Sequence, residues 1–269
     1  MTEPVSVYAD LVRYRELFQS LFRRDLRAKY KGSALGVAWS LANPLLLMLI
    51  YVVVFSLLWK AVDIPHYPLF LLCGLSVWIF FSTSSQGAAR SMLDYAELIK
   101  KVRFPRQLVA FSVVATQLVP FLIMLAALIV VDAIVIPDTR DTVLLAIPIG
   151  ALIVCLVAGF ALLVASANVV FRDVEHLLAA LLLPWFFLTP ILYELHQLPG
   201  SLDKYHWLAD LLYWANFLTP PIYALRDPLF YGQLPHASDV IYTCVAAALA
   251  LLVGALVFNR VDDRIAVEL

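Results

Sequence analysis

The side chains able to do chemistry are few, and their spacing fits no reaction centre. The five histidines, His66, His176, His196, His206 and His236, sit on separate loops, none at the spacing of metal ligands, so no metal site is expected. Cys73, Cys155 and Cys244 are isolated and form neither a CxxC pair nor a disulfide framework. There is no GxxxxGK[ST] phosphate loop, so this chain is not expected to hydrolyse nucleotide by itself. A GxSxG nucleophile elbow is also missing. A membrane glycosyl- or acyltransferase would need acids or a histidine paired at one membrane edge, and no DxD-like or HxxxxD-like cluster is present.

Charge is concentrated in two segments instead. The first runs from Arg23 to Pro44. It opens with Arg23, Arg24, Arg27, Lys29 and Lys31 around Asp25 and Tyr30, then carries no formal charge from Ala34 until Lys60. That is enough apolar chain to cross a hydrocarbon layer about 30 Å thick. The second, Asp94 to Arg106, places Glu97 before Lys100, Lys101 and Arg103, followed by Phe104 and Pro105 at the opening of another apolar run. Proline suits the first turn of a helix, where its missing N–H would be unpaired anyway. Read blandly, this second cluster is a signal holding the loop inside. A short helix with an apolar anchor and a charged rim is also what docking on a soluble partner requires. A third and shorter segment, Asn168 to His176, holds Arg172, Asp173 and His176, with Asp173 placed to cap the following helix.

The elements that must position these residues are helices in a membrane. Hydrophobic residues make up 63% of the 269, charged residues 14%, and the mean hydropathy is +0.88, which excludes a soluble domain. A net charge of −1 gives no reason to expect a nucleic-acid partner. Residues 1–7 include Glu3 and Pro4 and lead into a charged stretch, so a cleaved signal is not expected and the first span serves as anchor.

From 8 to 31, Leu11, Tyr14, Phe18, Leu21, Phe22 and Leu26 recur every three or four positions among basic residues, the pattern of an amphipathic helix in the headgroup plane. Hydropathy then predicts six spans within 35–259, at 35–59, 68–88, 105–134, 143–170, 177–193 and 239–259, with 260–269 a cytoplasmic tail. With both termini inside, cytoplasmic pieces hold all of the 19 Lys and Arg except Lys60, Arg140, Lys204 and Arg226. That asymmetry obeys the positive-inside rule. The stretch 194–238 is apolar in its middle yet contains Asp210, Asn216 and the Pro220-Pro221 pair. It is read as broken, re-entrant helices on the outer side, because a lipid-exposed helix would leave backbone groups unpaired at those prolines. Its aromatics, with Tyr193, Trp207, Trp214, Phe217 and Tyr223 foremost, form an interfacial belt or a surface for stacking sugar faces.

In sequence order, Arg24-Asp25-Leu26 with Lys29-Tyr30-Lys31, Ser33, Leu35-Gly36, Trp39 and Pro44 resembles the opening signature of the permease subunits of ABC-type polysaccharide exporters. This group exports lipid-linked O-antigen, teichoic acid, capsule and galactan. Leu98 to Lys101 with Phe104-Pro105, Phe171-Arg172-Asp173-Val174 with His176, Thr189-Pro190-Ile191 with Tyr193, and Asn216 with Pro220 and Arg226 are similar to its later motifs. The likeness covers nearly the whole chain. One departure is Asn216-Phe217, where the family often has Asn-Pro.

The resemblance implies an all-α, six-span subunit in the bacterial inner membrane, working as a homodimer with two copies of a cytoplasmic ATPase that binds the ATP and Mg. It also implies that the helix around Glu97, Lys100, Lys101 and Arg103 couples to that ATPase, that the basic helix lies beside it, and that the outer helices border the exit. A glycan linked to a lipid diphosphate is the implied cargo, and Arg24, Arg27, Lys29 and Lys31 form an inner rim able to attract its phosphates or anionic lipid. An ABC permease for a lipid or drug has the same architecture and is the nearest alternative. A secondary transporter would carry ionisable residues deep in its spans, and Asp132, near the outer end of the third, is the only acid inside one.

Overall fold

Hydrocarbon offers no partner for a backbone N–H or C=O, so a spanning segment must satisfy them within itself, and a helix does so. The computed structural model describes residues 13–33, 36–58, 64–102, 104–195 and 206–268, and these contain helices and turns but no strand. Arg103, residues 8–12 of the interface helix, the ends of the first span at 35 and 59, 196–205 of the outer segment and Leu269 of the tail lie outside the described residues.

In chain order the helices are α1 (Arg15–Tyr30), α2 (Trp39–Tyr51, continued by a π-helical stretch Val52–Leu58), α3 (Tyr67–Asp94), α4 (Ala96–Lys101) and α5 (Gln107–Val135). They continue as α6 (Ala146–Val170), α7 (Asp173–Leu188), α8 (His206–Ala215), α9 (Thr219–Arg226, prolonged by a π turn Asp227–Tyr231) and α10 (Ala237–Glu268). Among the described residues five helices are long and apolar enough to cross a membrane: α2 with its π extension, α3, α5, α6 with the 3-10 turn before it, and α10.

The fifth predicted span, 177–193, is corrected in its bounds. Its helix, α7, has 16 residues, from Asp173 to Leu188. That gives a length of about 24 Å, short of the hydrocarbon thickness of about 30 Å. Proline disfavours helical backbone in the residue before it. Thr189 precedes Pro190 and is extended, with ψ 131°, so the helix stops there.

Side-chain bonds define two ends of the bundle. At one, the start of α7 meets the end of α3 through Arg90–Glu175 at 3.2 Å, and Asn168 Nδ2 donates to Ala89 O at 2.8 Å. Arg106, just before α5, pairs there with Asp262 of α10 at 3.0 Å. At the other, Tyr67 Oη donates to Leu192 O at 2.8 Å, Thr142 Oγ1 to Pro228 O at 2.9 Å, and Tyr231 Oη to Glu194 at 2.9 Å. Short as it is, α7 connects the two.

α3 is the axis, buried along most of its length and packed on α5, α6, α7 and α9. α6 and α10 make the most extensive helix pair. Their backbones touch at a glycine crossing: a Cβ on Gly159 would stand 2.3 Å from the Ala250 carbonyl carbon, and one on Gly254 would stand 2.5 Å from Gly159 O. Small residues let membrane helices approach closely where no hydrophobic effect drives them together.

The broken helices α8 and α9 are pinned by Arg226. Its side chain is fully buried and donates to Pro190 O at 2.6 Å, Ile191 O at 2.9 Å and Phe70 O at 3.4 Å, with the guanidinium 3.6 Å from the Phe70 ring centroid. Pro190 and Ile191 belong to the turn after α7, where the ended helical ladder leaves acceptors unpaired, and Phe70 belongs to the first turn of α3, where its carbonyl gains a second donor. Gly74 makes room, since a Cβ there would meet Arg226 Nη2 at 2.7 Å.

Two variants test this packing by thermal unfolding of the purified protein. Gly159→Val should destabilise the fold by roughly 2 kcal/mol, because a clash with backbone cannot be relieved by a rotamer change. Arg226→Met should cost about 3 kcal/mol by stranding buried carbonyls, whereas Arg140→Met, which removes an exposed bond to Ala133 O at 3.0 Å, should cost under about 1 kcal/mol.

Candidate functional site

The end of the bundle marked by Arg90 and Arg106 is built around Tyr95. Its N–H donates to Ser91 O at 3.1 Å and closes α3, while its carbonyl accepts from Leu98 and Ile99, both at 3.0 Å, and opens α4. Its hydroxyl donates to Asp25 on α1, and Ser112 Oγ on α5 donates to the other Asp25 oxygen at 3.3 Å. The Arg24 guanidinium lies 3.9 Å from the Tyr95 ring centroid and 3.5 Å from Asp25. Burial, and then the hydrogen bond to Asp25, push the Tyr95 hydroxyl above the ordinary tyrosine range, so it stays a donor at any physiological pH. One node therefore joins α1, α3, α4 and α5.

α4 hangs from this node. Ile99 is buried and Leu98 packs on the core, while Glu97, Lys100 and Lys101 are exposed, with Glu97 and Lys101 paired at 2.9 Å across one turn. A pair so exposed contributes a few tenths of a kcal/mol at most. Its charges are open to a partner. Phe104 is not part of that open face: it packs partly against the core, and Pro105 is half-buried beside it. Pro105 lies before the helix rather than in its first turn, since α5 begins at Gln107.

α1 is more than a raft on the headgroups. Leu21 is buried and the helix packs along α5, while Arg23, Arg24, Arg27 and Lys31 remain exposed. Lys29 Nζ donates to Gln117 Oε1 at 2.6 Å, and the Tyr30 and Ser40 hydroxyls bond at 2.5 Å.

In the third segment Arg172, Asp173 and His176 are all exposed. The expected capping by Asp173 is corrected: Asp173 is the first residue of α7 and its side chain makes no cap. Asn168 reaches across from the end of α6 and does that work, its Oδ1 accepting from Glu175 N at 2.9 Å. The geometry favours Asn168 because Phe171 breaks helical backbone between the two helices and turns α7 back toward it.

The aromatics divide. Trp207 and Trp214 are exposed, with Trp214 against Tyr242 at 5.6 Å between ring centroids, and Tyr193 is half-buried. Tyr223 is interior and Phe217 is partly buried. Phe217 belongs to a cluster with Phe81, Phe160 and Trp185, and the Tyr223 hydroxyl accepts from Leu195 N at 3.2 Å. Asn216 is the clasp of this region. It accepts from Trp185 Nε1 at 3.0 Å and Leu218 N at 3.2 Å, and donates to Thr189 Oγ1 at 2.8 Å. Asp132 is fully buried in α5, and its carboxylate has no hydrogen-bond partner among the described residues.

Tyr95, Asn168 and Arg90 are the residues that spacing alone does not single out. A sequence signal exists for each: Tyr95 ends the run of α3, Asn168 is a lone amide in the last turn of an apolar helix, and Arg90 is a lone cation before the α3 terminus.

Residues 16–230 match the family model described as ABC-2 type transporter. The chain is similar to the O-antigen export system permease protein RfbA of Myxococcus xanthus, 38% identical over 97% of this chain and 98% of that protein. It is also similar to the RfbA permease of Klebsiella pneumoniae, 31% identical over 93% of this chain and 94% of that one. The polysialic acid transport protein KpsM of Escherichia coli is 23% identical, over 91% and 93%. A family match across most of the chain, and relatives aligned with it nearly end to end, make this protein a multi-pass member of the ABC-2 type transporter family.

Proposed function

We propose that this chain is the membrane subunit of an ATP-driven exporter that carries a lipid-linked polysaccharide from the cytoplasmic to the outer face of the bacterial inner membrane. The observation that carries this reading is the nearly end-to-end similarity to permeases named for O-antigen export. In this reading the protein is a homodimer with two copies of a separate ATPase, which binds the ATP and Mg, and the cargo is held on a lipid diphosphate.

Six crossings and two cytoplasmic termini fit the bonds at the two bundle ends. α7 begins beside Arg90 and its following turn is held beside Phe70, so it serves as a short sixth crossing. The positive charge near α1, α4 and the α5 start supports a cytoplasmic placement of that end. A glycan with its many hydroxyls cannot cross hydrocarbon unaided. A conduit between two subunits removes that barrier, and closure of the ATPase pair against α4 would alter it by rigid-body movement. Lys100, Lys101 and Glu97 meet the partner in this scheme. Tyr95 passes the push to α1 through Asp25 and to the membrane through α3.

The test is co-expression with the ATPase encoded beside it, followed by purification and assays of vanadate-sensitive hydrolysis and export. Lys100→Glu with Lys101→Glu should lower recovery of the complex about tenfold, the effect of about 1.4 kcal/mol of lost charge complementarity. Tyr95→Phe should leave assembly intact but lower export per ATP. Recovery of the permease with no nucleotide-hydrolysing partner would overturn the proposal.

A further inference from the structure

A cavity of about 550 Å³ opens within the single chain, between α1, α2, α3 and α5. Small-molecule sites commonly enclose roughly 300–1,000 Å³. Pro44 of α2 and Pro120 of α5 both line it, and each deprives the carbonyl four residues earlier of its helical donor. Two helices whose ladders are interrupted thus face each other across the gap.

The lining is graded along the membrane normal. At the α1 end stand Lys29, Tyr30, Ser40, Asn43 and Gln117. Farther in along α5 come Phe121 and Met124, one and two helical turns beyond Gln117, about 6 and 10 Å deeper. Phe80 of α3 stacks on Phe121 there, with 4.7 Å between ring centroids. Ser76 and Thr83 of α3 also line the cavity, but their hydroxyls donate to Cys73 O and Ile79 O of their own helix, so the deeper wall offers a ligand mainly apolar surface.

The charge is unbalanced. Among the described residues Lys29 is the only ionised side chain in the lining, and its bond goes to the neutral amide of Gln117. Lys29 keeps much of its side chain open to solvent, and partial burial of its ammonium at the cavity mouth pulls it below the ordinary lysine range. A bound anion would counter that shift through a charge-assisted hydrogen bond.

We infer that this cavity binds one amphiphile bearing a phosphorylated head and a hydrocarbon chain, the phosphate against Lys29 and the chain along Phe121 and Met124. The phosphate comes from the diphosphate of a polyprenyl carrier or from an anionic membrane phospholipid; only the carrier source rests on the exporter reading. The site lies inside one chain, so its occupancy requires neither a dimer nor an ATPase.

Binding is tested on the full-length permease, purified and analysed by native mass spectrometry with short-chain polyprenyl diphosphate, phosphatidylglycerol or neutral phosphatidylcholine added. Lys29→Gln should weaken binding of the anionic lipids about tenfold, the loss of one charge-assisted hydrogen bond. Lys29→Arg should restore most of it. Arg15→Gln removes an exposed cation of the same helix that is outside the lining, and should change nothing. Tighter binding of the diphosphate than of phosphatidylglycerol identifies the carrier as the source, equal binding identifies the phospholipid, and both support the site. Equal binding of phosphatidylcholine, or equal weakening by Arg15→Gln and Lys29→Gln, overturns it. Because no ATPase or transport is involved, this failure is distinct from a failure to capture the partner.

Discussion

The bond from Tyr95 to Asp25 is the constraint on which the inner half of this protein depends. A basic helix at an interface has no hydrophobic reason to stay against one particular flank of a bundle. Leu21 gives α1 some apolar contact, but Asp25, reaching both Tyr95 and Ser112, fixes its register against α3 and α5. Because the backbone of Tyr95 also ends α3 and begins α4, movement of α4 cannot leave α1 or α3 unaffected. Arg24 above the ring screens the node and offsets the carboxylate's charge.

The outer half obeys a different constraint. There two helices stop within a short distance, at Thr189 and Ala215, while α9 runs on through its π turn to Gly232, and each end frees backbone groups that hydrocarbon would not satisfy. Arg226 takes two of those carbonyls, Pro190 and Ile191, and ties them to Phe70 O of α3, Asn216 supplies both a donor and an acceptor, and the Tyr223 hydroxyl takes an N–H. A charged residue is costly in such a place unless its hydrogen bonds are made. The broken helices persist because the side chains that repair them lie within the same segment.

Much of this was legible in the sequence because the signals are periodic or compositional. Long charge-free runs give α2, α3, α5, α6 and α10, and the three-to-four spacing of Phe18, Leu21, Phe22 and Leu26 gives α1. The cluster from Glu97 to Lys101 gives α4, and the prolines around 220 give the break between α8 and α9. The rest depended on three-dimensional partners. Asp173 has the right identity for a cap, yet Asn168 holds that role because the α6–α7 turn brings it there. Phe217 and Tyr223 look like their exposed neighbours in composition, and only the fold of 216–226 turns them inward. Arg226 reads as one more outer cation until Gly74 and the Pro190 turn are seen to enclose it.

The two ends also differ in what could move. At the inner end most ties between helices are side-chain pairs, Tyr95 to Asp25, Arg90 to Glu175, Lys29 to Gln117 and Arg106 to Asp262, several of them open to water and therefore weak, with Asn168 to Ala89 O a buried exception. At the outer end most are directed at backbone, with Tyr67 to Leu192 O and the three Arg226 bonds buried. A push on α4 would find its least resistance near the inner ties, tilting helices about the outer clasp rather than sliding them. α6 and α10 resist separately, because backbones in contact at Gly159 and Gly254 move only as a pair. The cavity beside Lys29 sits on the yielding side of that division, between α1 and the proline-interrupted stretches of α2 and α5. An amphiphile bound there would share the space that the inner ties control, so the same displacement of α1 that answers α4 would open or close it.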